Sequence, residues 1–108
     1  MPATLTVHDE TTAGDRSDPI VLEFLAEEIT VRELIRQRVY QEVQDYNLRI
    51  EQSDLDWRGR YAKACREFEC GRVLVFHGDC QAERLDDMVE LTPSVGVTFL
   101  RLVPLAGG

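Results

Sequence analysis

Apolar and polar side chains alternate near the start of the chain. Residues 5–9 read Leu-Thr-Val-His-Asp, with the period of two that indicates a half-buried β-strand. Residues 11–19 are rich in Thr, Gly, Asp and Ser, a composition typical of a turn. In residues 20–25 the apolar side chains at every second position can share one face of a second strand. The pattern therefore predicts a β-hairpin with a long connecting loop.

After this hairpin the apolar pattern changes to a helical period. Thr30 and Glu33 have the spacing of a capping box, in which each side chain accepts a hydrogen bond from a backbone N–H group of the first turn. Apolar residues then recur at intervals of three and four, which predicts a helix up to about residue 47. The expected core-facing residues are Val31, Leu34, Ile35, Val39, Val43, Tyr46 and Ile50.

A second, shorter helix is predicted between a break at residues 53–56, with an N-cap there, and Gly71, which fits a C-terminal cap. The apolar residues at helical spacing within it are Trp57, Tyr61, Ala64, Cys65 and Phe68. Residues 73–76, Val-Leu-Val-Phe, predict a buried strand, and residues 77–79, His-Gly-Asp, a turn.

Residues 81–93 mix charged residues with Leu85, Met88, Val89 and Leu91, and we expect irregular structure or short strands around a small satellite core there. Residues 97–103 are strongly apolar and predict a closing strand. The order of elements is thus a hairpin, a helix, a second helix, a strand, an irregular crossover and a last strand. That order predicts a two-layer α+β fold.

Composition and charge narrow the class of protein. The 108 residues suffice for one domain, and 44% hydrophobic with 30% charged residues is ordinary globular composition. The chain contains neither an apolar run long enough for a membrane span nor a readable secretory signal. Three cysteines without zinc-type spacing favour a reducing compartment, so we expect a cytoplasmic protein. The net charge of −8 argues against nucleic acid as a partner.

Three segments of the chain resemble a known protein family. Residues 73–79 are similar to the third strand of ubiquitin and the turn after it. The closing Val-Thr-Phe-Leu-Arg-Leu-Val-Pro-Leu-Ala-Gly-Gly resembles the tails of ubiquitin and of the ThiS and MoaD sulfur carriers. Residues 29–47 and the closing Phe-Leu-Arg-Leu-Val-Pro-Leu are most similar to the ubiquitin-like modifiers of bacterial conjugation operons.

The resemblance implies a ubiquitin-like β-grasp domain over residues 1–103, with an insert at about 51–70 and a flexible tail at 104–108. It implies a mixed sheet of four to five strands, in which the last strand lies beside the first. In function it implies a protein modifier, not an enzyme, that is joined to target proteins, with a role in antiphage defence. The implied partners are a ThiF-like activating enzyme that uses ATP and Mg²⁺, a conjugating enzyme, a JAB-type deconjugating protease and the targets.

The expected site lies in the tail. Activation would convert the carboxylate of Gly108 into an acyl-adenylate, and Gly107 and Gly108 have no Cβ to obstruct a narrow enzyme channel. If Gly108 is the native terminus, no maturation cut is needed. Lys63, the only lysine, is the possible site of self-conjugation. By resemblance, the tail and docking residues are Ala106, Leu105, Pro104, Leu102, Leu100 and Val75.

Other interpretations stay open at this point. The chain could be a sulfur carrier that forms a thiocarboxylate at Gly108, or a β-grasp binding module that is not conjugated. Val75 and the last strand could belong entirely to the core. The cysteines are expected to be small, partly buried residues, with a weaker alternative of metal binding by Cys65, Cys70 and His77. The acidic residues between 79 and 90 are expected to form a solvated surface or to dock onto a basic enzyme.

Overall fold

A computed structural model describes residues 3–50, 56–91 and 96–103. Its strands and helices, in chain order, are β1 (Ala3–Thr11), β2 (Ile20–Phe24), β3 (Glu28–Thr30), α1 (Val31–Arg49), α2 (Trp57–Glu69), β4 (Val73–His77), β5 (Cys80–Ala82), β6 (Met88–Glu90) and β7 (Val97–Arg101).

Five strands form one mixed sheet in the order β2-β1-β7-β4-β5. The last strand runs parallel to β1, with Val7 opposite Val97, and antiparallel to β4, with Val75 opposite Phe99. A second sheet of two strands pairs β3 with β6. The α+β class, the five-stranded sheet, the main helix and the second helix confirm the predicted fold class, and the arrangement is β-grasp-like.

Helix α1 begins where the sequence predicts, because the Thr30 hydroxyl accepts a hydrogen bond from the Glu33 backbone N–H at 3.2 Å. The Glu33 carboxylate accepts bonds from the side chains of Arg36 and Gln37. One side of the helix is buried from Val31 to Val43. The prediction that this side continues through Tyr46 and Ile50 is wrong, since both are exposed. Among the described residues, the buried side of α1 ends at Val43.

Helix α2 is capped at both ends by its own sequence. The Asp56 carboxylate accepts from the Arg58 backbone N–H at the N-terminus. At the other end Gly71 has φ +77°, and the N–H groups of Gly71 and Arg72 donate to the carbonyls of Phe68 and Glu67. This is a Schellman motif. The predicted cap at Gly71 is confirmed, and the motif sets the direction in which the chain enters β4.

Both helices cover the same face of the large sheet. Phe68 of α2 joins the core with Val75 and Phe99, and Arg38 of α1 lies over the Phe99 ring. The opposite face carries the alternate residues of each strand, and we call it the open face. The core between helices and sheet is formed by Leu5, Val7, Leu22, Phe24, Ile29, Val31, Leu34, Ile35, Val39, Val43, Phe68, Val75, Leu85, Val89, Leu91, Val97 and Phe99.

Candidate functional site

The backbone just beyond β7 is held from two sides. The N–H of Leu102 donates to the Arg72 carbonyl at 2.9 Å, and the N–H of Val103 donates to the Thr12 hydroxyl at 2.9 Å. Thr12 in turn donates its own backbone N–H to the carbonyl of Arg101 at 3.0 Å. The chain is therefore fixed as far as Val103, two residues past the last strand.

Interactions within each segment fix the two segments that hold the backbone beyond β7. In the loop after β1, the Thr11 hydroxyl accepts hydrogen bonds from the N–H groups of Ala13 and Asp15, and Gly14 has φ +93°, a conformation that favours glycine. The loop therefore presents Thr12 at a defined position. Arg72 is placed by the Schellman motif described above.

An ion pair lies at the same end of the sheet. The Arg101 guanidinium is 3.0 Å from the carboxylate of Glu67 in α2, and that carboxylate is largely shielded from solvent. The pair ties the last residue of β7 to the helix layer. Three elements, the first loop, the end of α2 and the end of β7, thus converge where the chain leaves the sheet.

Apolar side chains gather on the open face beside this end. In the β4–β7 ladder, Leu74 lies opposite Leu100 and Phe76 opposite Thr98. Leu74, Phe76 and Leu100 are half-buried, and Leu102, which follows the same alternation, is 43% exposed. We call Leu74, Phe76, Leu100 and Leu102 the open-face patch. Neighbouring positions on β1 are polar, since His8 lies opposite Thr98 and Glu10 opposite Leu100.

The predicted docking residues divide between the two faces. Leu100 and Leu102 lie in the open-face patch. Val75 does not: its side chain is 0% exposed, and it is paired with Phe99 and Ala82 on the helix-covered face. The prediction of Val75 as an exposed docking residue is wrong, and its core alternative holds. Leu74 and Phe76 take the exposed positions because strand residues alternate between faces.

The tail residues lie outside the described part of the chain. These are Pro104, Leu105, Ala106, Gly107 and Gly108. Lys63 is described, and its side chain is exposed on α2. The described part of the site comprises the backbone up to Val103 and the open-face patch.

A second polar region lies on the helix side of the sheet. The Arg38 guanidinium donates to the Asp9 carboxylate, and one of its nitrogens is 2.9 Å from the Glu42 carboxylate. Burial raises the pKa of Glu42 above its ordinary value, with the nearby Arg38 opposing that rise and Asp9 adding to it. The Nε atom of Arg38 is buried and has no hydrogen-bond partner among the described residues. This cluster borders a cavity of about 320 Å³ that extends to the first loop.

The cysteines are not paired in disulfides. Cys65 is partly buried, and burial is the main cause that raises the pKa of its thiol. Cys70 and Cys80 are exposed, so the expectation of partial burial is wrong for these two. Within residues 3–50, 56–91 and 96–103, no group of three or more His, Cys, Asp and Glu side chains is arranged to hold a metal ion.

The acidic segment is partly structural. Asp86 forms an ion pair with Arg32 of α1 at 2.8 Å. The Asp87 carboxylate accepts hydrogen bonds from the N–H groups of Glu83 and Arg84, and these bonds lower its pKa. Both carboxylates therefore help to position the crossover, whereas Asp79, Glu83 and Glu90 are exposed.

Comparisons with known proteins give no relative: no family model, no curated protein and no solved structure matches the chain. None of the helices in the described residues is long and apolar enough to cross a membrane.

Proposed function

We propose that this chain is a ubiquitin-like protein modifier whose Gly108 carboxyl group is the acyl donor. In this proposal a ThiF-like activating enzyme adenylates Gly108 with ATP and Mg²⁺, releasing pyrophosphate. A conjugating-enzyme thiolate then displaces AMP to form a thioester, and an amine or hydroxyl of a target protein displaces the thiolate. The chain is the substrate in every step, and the chemistry belongs to its partners. A JAB-type protease would reverse the final bond.

The backbone at Val103 carries the proposal. A tail that must reach into an activating enzyme needs a fixed point of departure, because ordering a loose segment on binding costs free energy. Thr12 and Arg72 provide that point by accepting the hydrogen bonds of the last two described residues. At the next position Pro104 restricts Val103 to extended conformations.

The open-face patch also supports the proposal. A carrier domain must be recognised by several enzymes in turn, which requires a surface that its own fold does not cover. Leu74 and Leu100 meet across the β4–β7 ladder, and Leu102 extends their patch to the end of the sheet from which the tail departs. An enzyme that docks on this patch would hold its catalytic crevice near the start of the tail.

Two compositional features agree with this use. Eleven of the twelve basic residues are arginine, and arginine stays protonated, so it does not attack an activated acyl group. The one amine side chain, Lys63, is exposed on α2 and is the site at which chains of the modifier would form. The three free cysteines accord with a cytoplasmic location, and antiphage defence is the proposed setting.

The test is reconstitution with a ThiF-like activating enzyme. ATP-dependent pyrophosphate exchange and intact mass are measured for the full chain and for a variant lacking Gly107 and Gly108. We expect exchange and high-mass adducts only with the full chain. Equal exchange with the shortened variant would overturn the proposal.

Docking is tested separately with two surface substitutions. Leu102→Glu places a charge in the open-face patch and should raise the KM for the activating enzyme, whereas Leu25→Glu alters a leucine that is 96% exposed elsewhere and should not. A thiocarboxylate, seen as the mass gain of sulfur over oxygen without adducts, would assign the chain to the sulfur carriers instead.

A further inference from the structure

A groove of about 760 Å³ runs between α1 and α2 on the helix side of the molecule. Val39, Val43 and Ala64 give it an apolar floor, and Tyr46 lines it with an aromatic ring that is 37% exposed. The groove is remote from the open-face patch, because the two lie on opposite sides of the five-stranded sheet. It exists only because α2 lies beside α1.

The acidic groups of this groove already have partners. Glu42 pairs with Arg38 at 2.9 Å and Glu67 with Arg101 at 3.0 Å. The Asp45 carboxylate accepts a hydrogen bond from Gln41 at 3.0 Å. Arg38 and Arg101 thus offset two of the three acidic charges, and Asp45 is the one acidic side chain of the groove without an ion pair in the described residues.

Three basic groups of the groove, by contrast, are available. Arg49 near the end of α1 and Arg60 and Lys63 on α2 line the groove, and all three are exposed. None of them forms an ion pair within the described residues. Arg60 and Lys63 are three positions apart, so both project from one side of α2.

The side chains of the groove thus have a net charge opposite in sign to that of the whole chain. The whole chain carries a net charge of −8, yet the five basic and three acidic side chains of this groove leave an excess of positive charge. A local field opposite in sign to the overall charge selects ligands that carry only a few negative charges, because an extended polyanion would meet the acidic remainder of the surface.

We propose that this groove binds an acidic linear segment of a partner protein, with an aliphatic side chain on the apolar floor and carboxylates at Arg49, Arg60 and Lys63. The shape is that of a hydrophobic groove between helices, a recurrent mode of peptide recognition. Charge complementarity selects the acidic segment, and the accessible apolar surface of Ala64 and Tyr46 selects its aliphatic residue. This binding is independent of acyl transfer at Gly108.

The probe is a short fluorescein-labelled peptide in which Glu-Glu-Leu repeats, compared with the same peptide carrying Lys in place of Glu. Fluorescence anisotropy with the full chain should show binding of the Glu peptide only, weakened by added salt. The double substitution Arg60→Glu with Lys63→Glu should weaken binding at least about tenfold. Arg66→Glu, a matched charge reversal on the same helix outside the groove, should leave binding unchanged.

A third substitution and a map of the binding site distinguish loss of the site from loss of folding in the double variant. Arg49→Glu, on the other helix, should weaken the peptide severalfold by itself. In ¹⁵N–¹H spectra the Glu peptide should shift the amide signals of Val43, Tyr46 and Ala64. Removal of Gly107 and Gly108 should abolish acyl transfer and leave peptide binding intact, which separates this inference from the proposed function.

Three results would overturn the inference. The first is unchanged peptide affinity in both the Arg60→Glu, Lys63→Glu and the Arg49→Glu variants. The second is a set of shifts confined to the open-face patch. The third is tighter binding of a poly-uridine oligonucleotide or of phosphatidylserine vesicles than of the Glu peptide, which would assign the groove to another class of partner.

Discussion

The two faces of the five-stranded sheet are built from the same strands but differ in their side chains and in their exposure to solvent. On the covered face, Val7, Val75 and Val97 are fully shielded from solvent by α1 and α2. On the open face, β1 is polar, whereas β4 and β7 present Leu74, Phe76 and Leu100, which are half-buried. A sheet with one solvated face needs apolar residues on the other face only. The additional apolar positions are therefore in excess of what the core needs, and they are the surface that we propose for partners.

The largest expected effect contrasts the two faces directly. Leu5 is 1% exposed on the covered face, and Leu100 is half-buried on the open face. We expect Leu5→Ala to lower the free energy of unfolding by about 2–5 kcal/mol, since it removes buried methylene groups and leaves a cavity. Leu100→Ala should cost about 1 kcal/mol or less, because only part of that side chain leaves water on folding.

Urea unfolding monitored by circular dichroism measures both variants. Equal losses would mean that the open face is as well packed as the core. In that case the open-face patch would be a structural feature and not a surface for partners.

A second prediction concerns α2, which supplies part of the cover. Gly71→Ala should destabilise the protein by about 1–2 kcal/mol, because its φ of +77° is strained for a residue with a Cβ. Gly59→Ala, within the same helix, should stabilise it by about 1 kcal/mol, since the added methyl meets open space and alanine favours helix. Thermal unfolding of the two variants should therefore move in opposite directions. Parallel changes would contradict the described helix end.

A third prediction concerns the end of β7. Thr12→Val removes the acceptor of the Val103 N–H group and should cost about 0.5–1.5 kcal/mol locally. Hydrogen exchange at the Val103 amide should accelerate, with little change for amides at the centre of the sheet. Thr12→Ser keeps the hydroxyl and serves as the control. Fast exchange in both variants would show that the hydroxyl does not hold this end.

The smallest expected effect is a pH dependence of the free energy of unfolding, caused by Glu42 at the edge of the covered face. The pKa of Glu42 is raised, mainly by burial, so the folded state binds its proton more tightly than the unfolded state does. Stability from this group is therefore greatest at low pH and falls as pH rises from the ordinary value of 4.5 through the raised one.

Glu42→Gln should remove that decline, which we expect to be under about 1 kcal/mol because the side chain is partly exposed. Unfolding by urea across the pH range measures it. Glu23→Gln, on the open face, should keep the decline and provides the control. An identical pH profile for wild type and Glu42→Gln would argue against burial of this carboxylate.

Much of the fold could be predicted from sequence, because the long elements carry clear periods. Helix α1 follows from the spacing after Thr30, and the caps at Asp56 and Gly71 follow from residue type. The predicted place of β7 beside β1 came from resemblance and is confirmed by the register of Val7 with Val97. Strands of three residues, β3, β5 and β6, are too short to give a periodic signal.

Which residues of β4 face the helices could not be predicted from the sequence, for a physical reason. Val73, Leu74, Val75 and Phe76 are all apolar, so alternation does not distinguish an inner from an outer residue. Only pairing with β7 decides it, because Val75 lies opposite the buried Phe99. A shift of one residue moves a whole strand to the other face, so the resemblance that names Val75 as a docking residue does not distinguish it from Leu74.

The groove between the helices likewise could not be predicted from the sequence. Arg49 of α1 is separated along the chain from Arg60 and Lys63 of α2, and nothing in that separation predicts that the three line one groove. The end of the apolar side of α1 was missed because Tyr46 and Ile50 continue its period although the cover ends at Val43.

The parallel pairing of β1 with β7 has a consequence for how the protein is made on the ribosome. Thr12 meets Val103 across 91 positions of the chain, so β1 has only β2 as a neighbour in the sheet until β7 has been synthesised. Contacts this distant in sequence slow folding and leave edges exposed during synthesis. A nascent chain stopped before β7 lacks the strand at the middle of the sheet. In such a chain β1 and β4 each present an unpaired edge, and unpaired edges favour association with other strands.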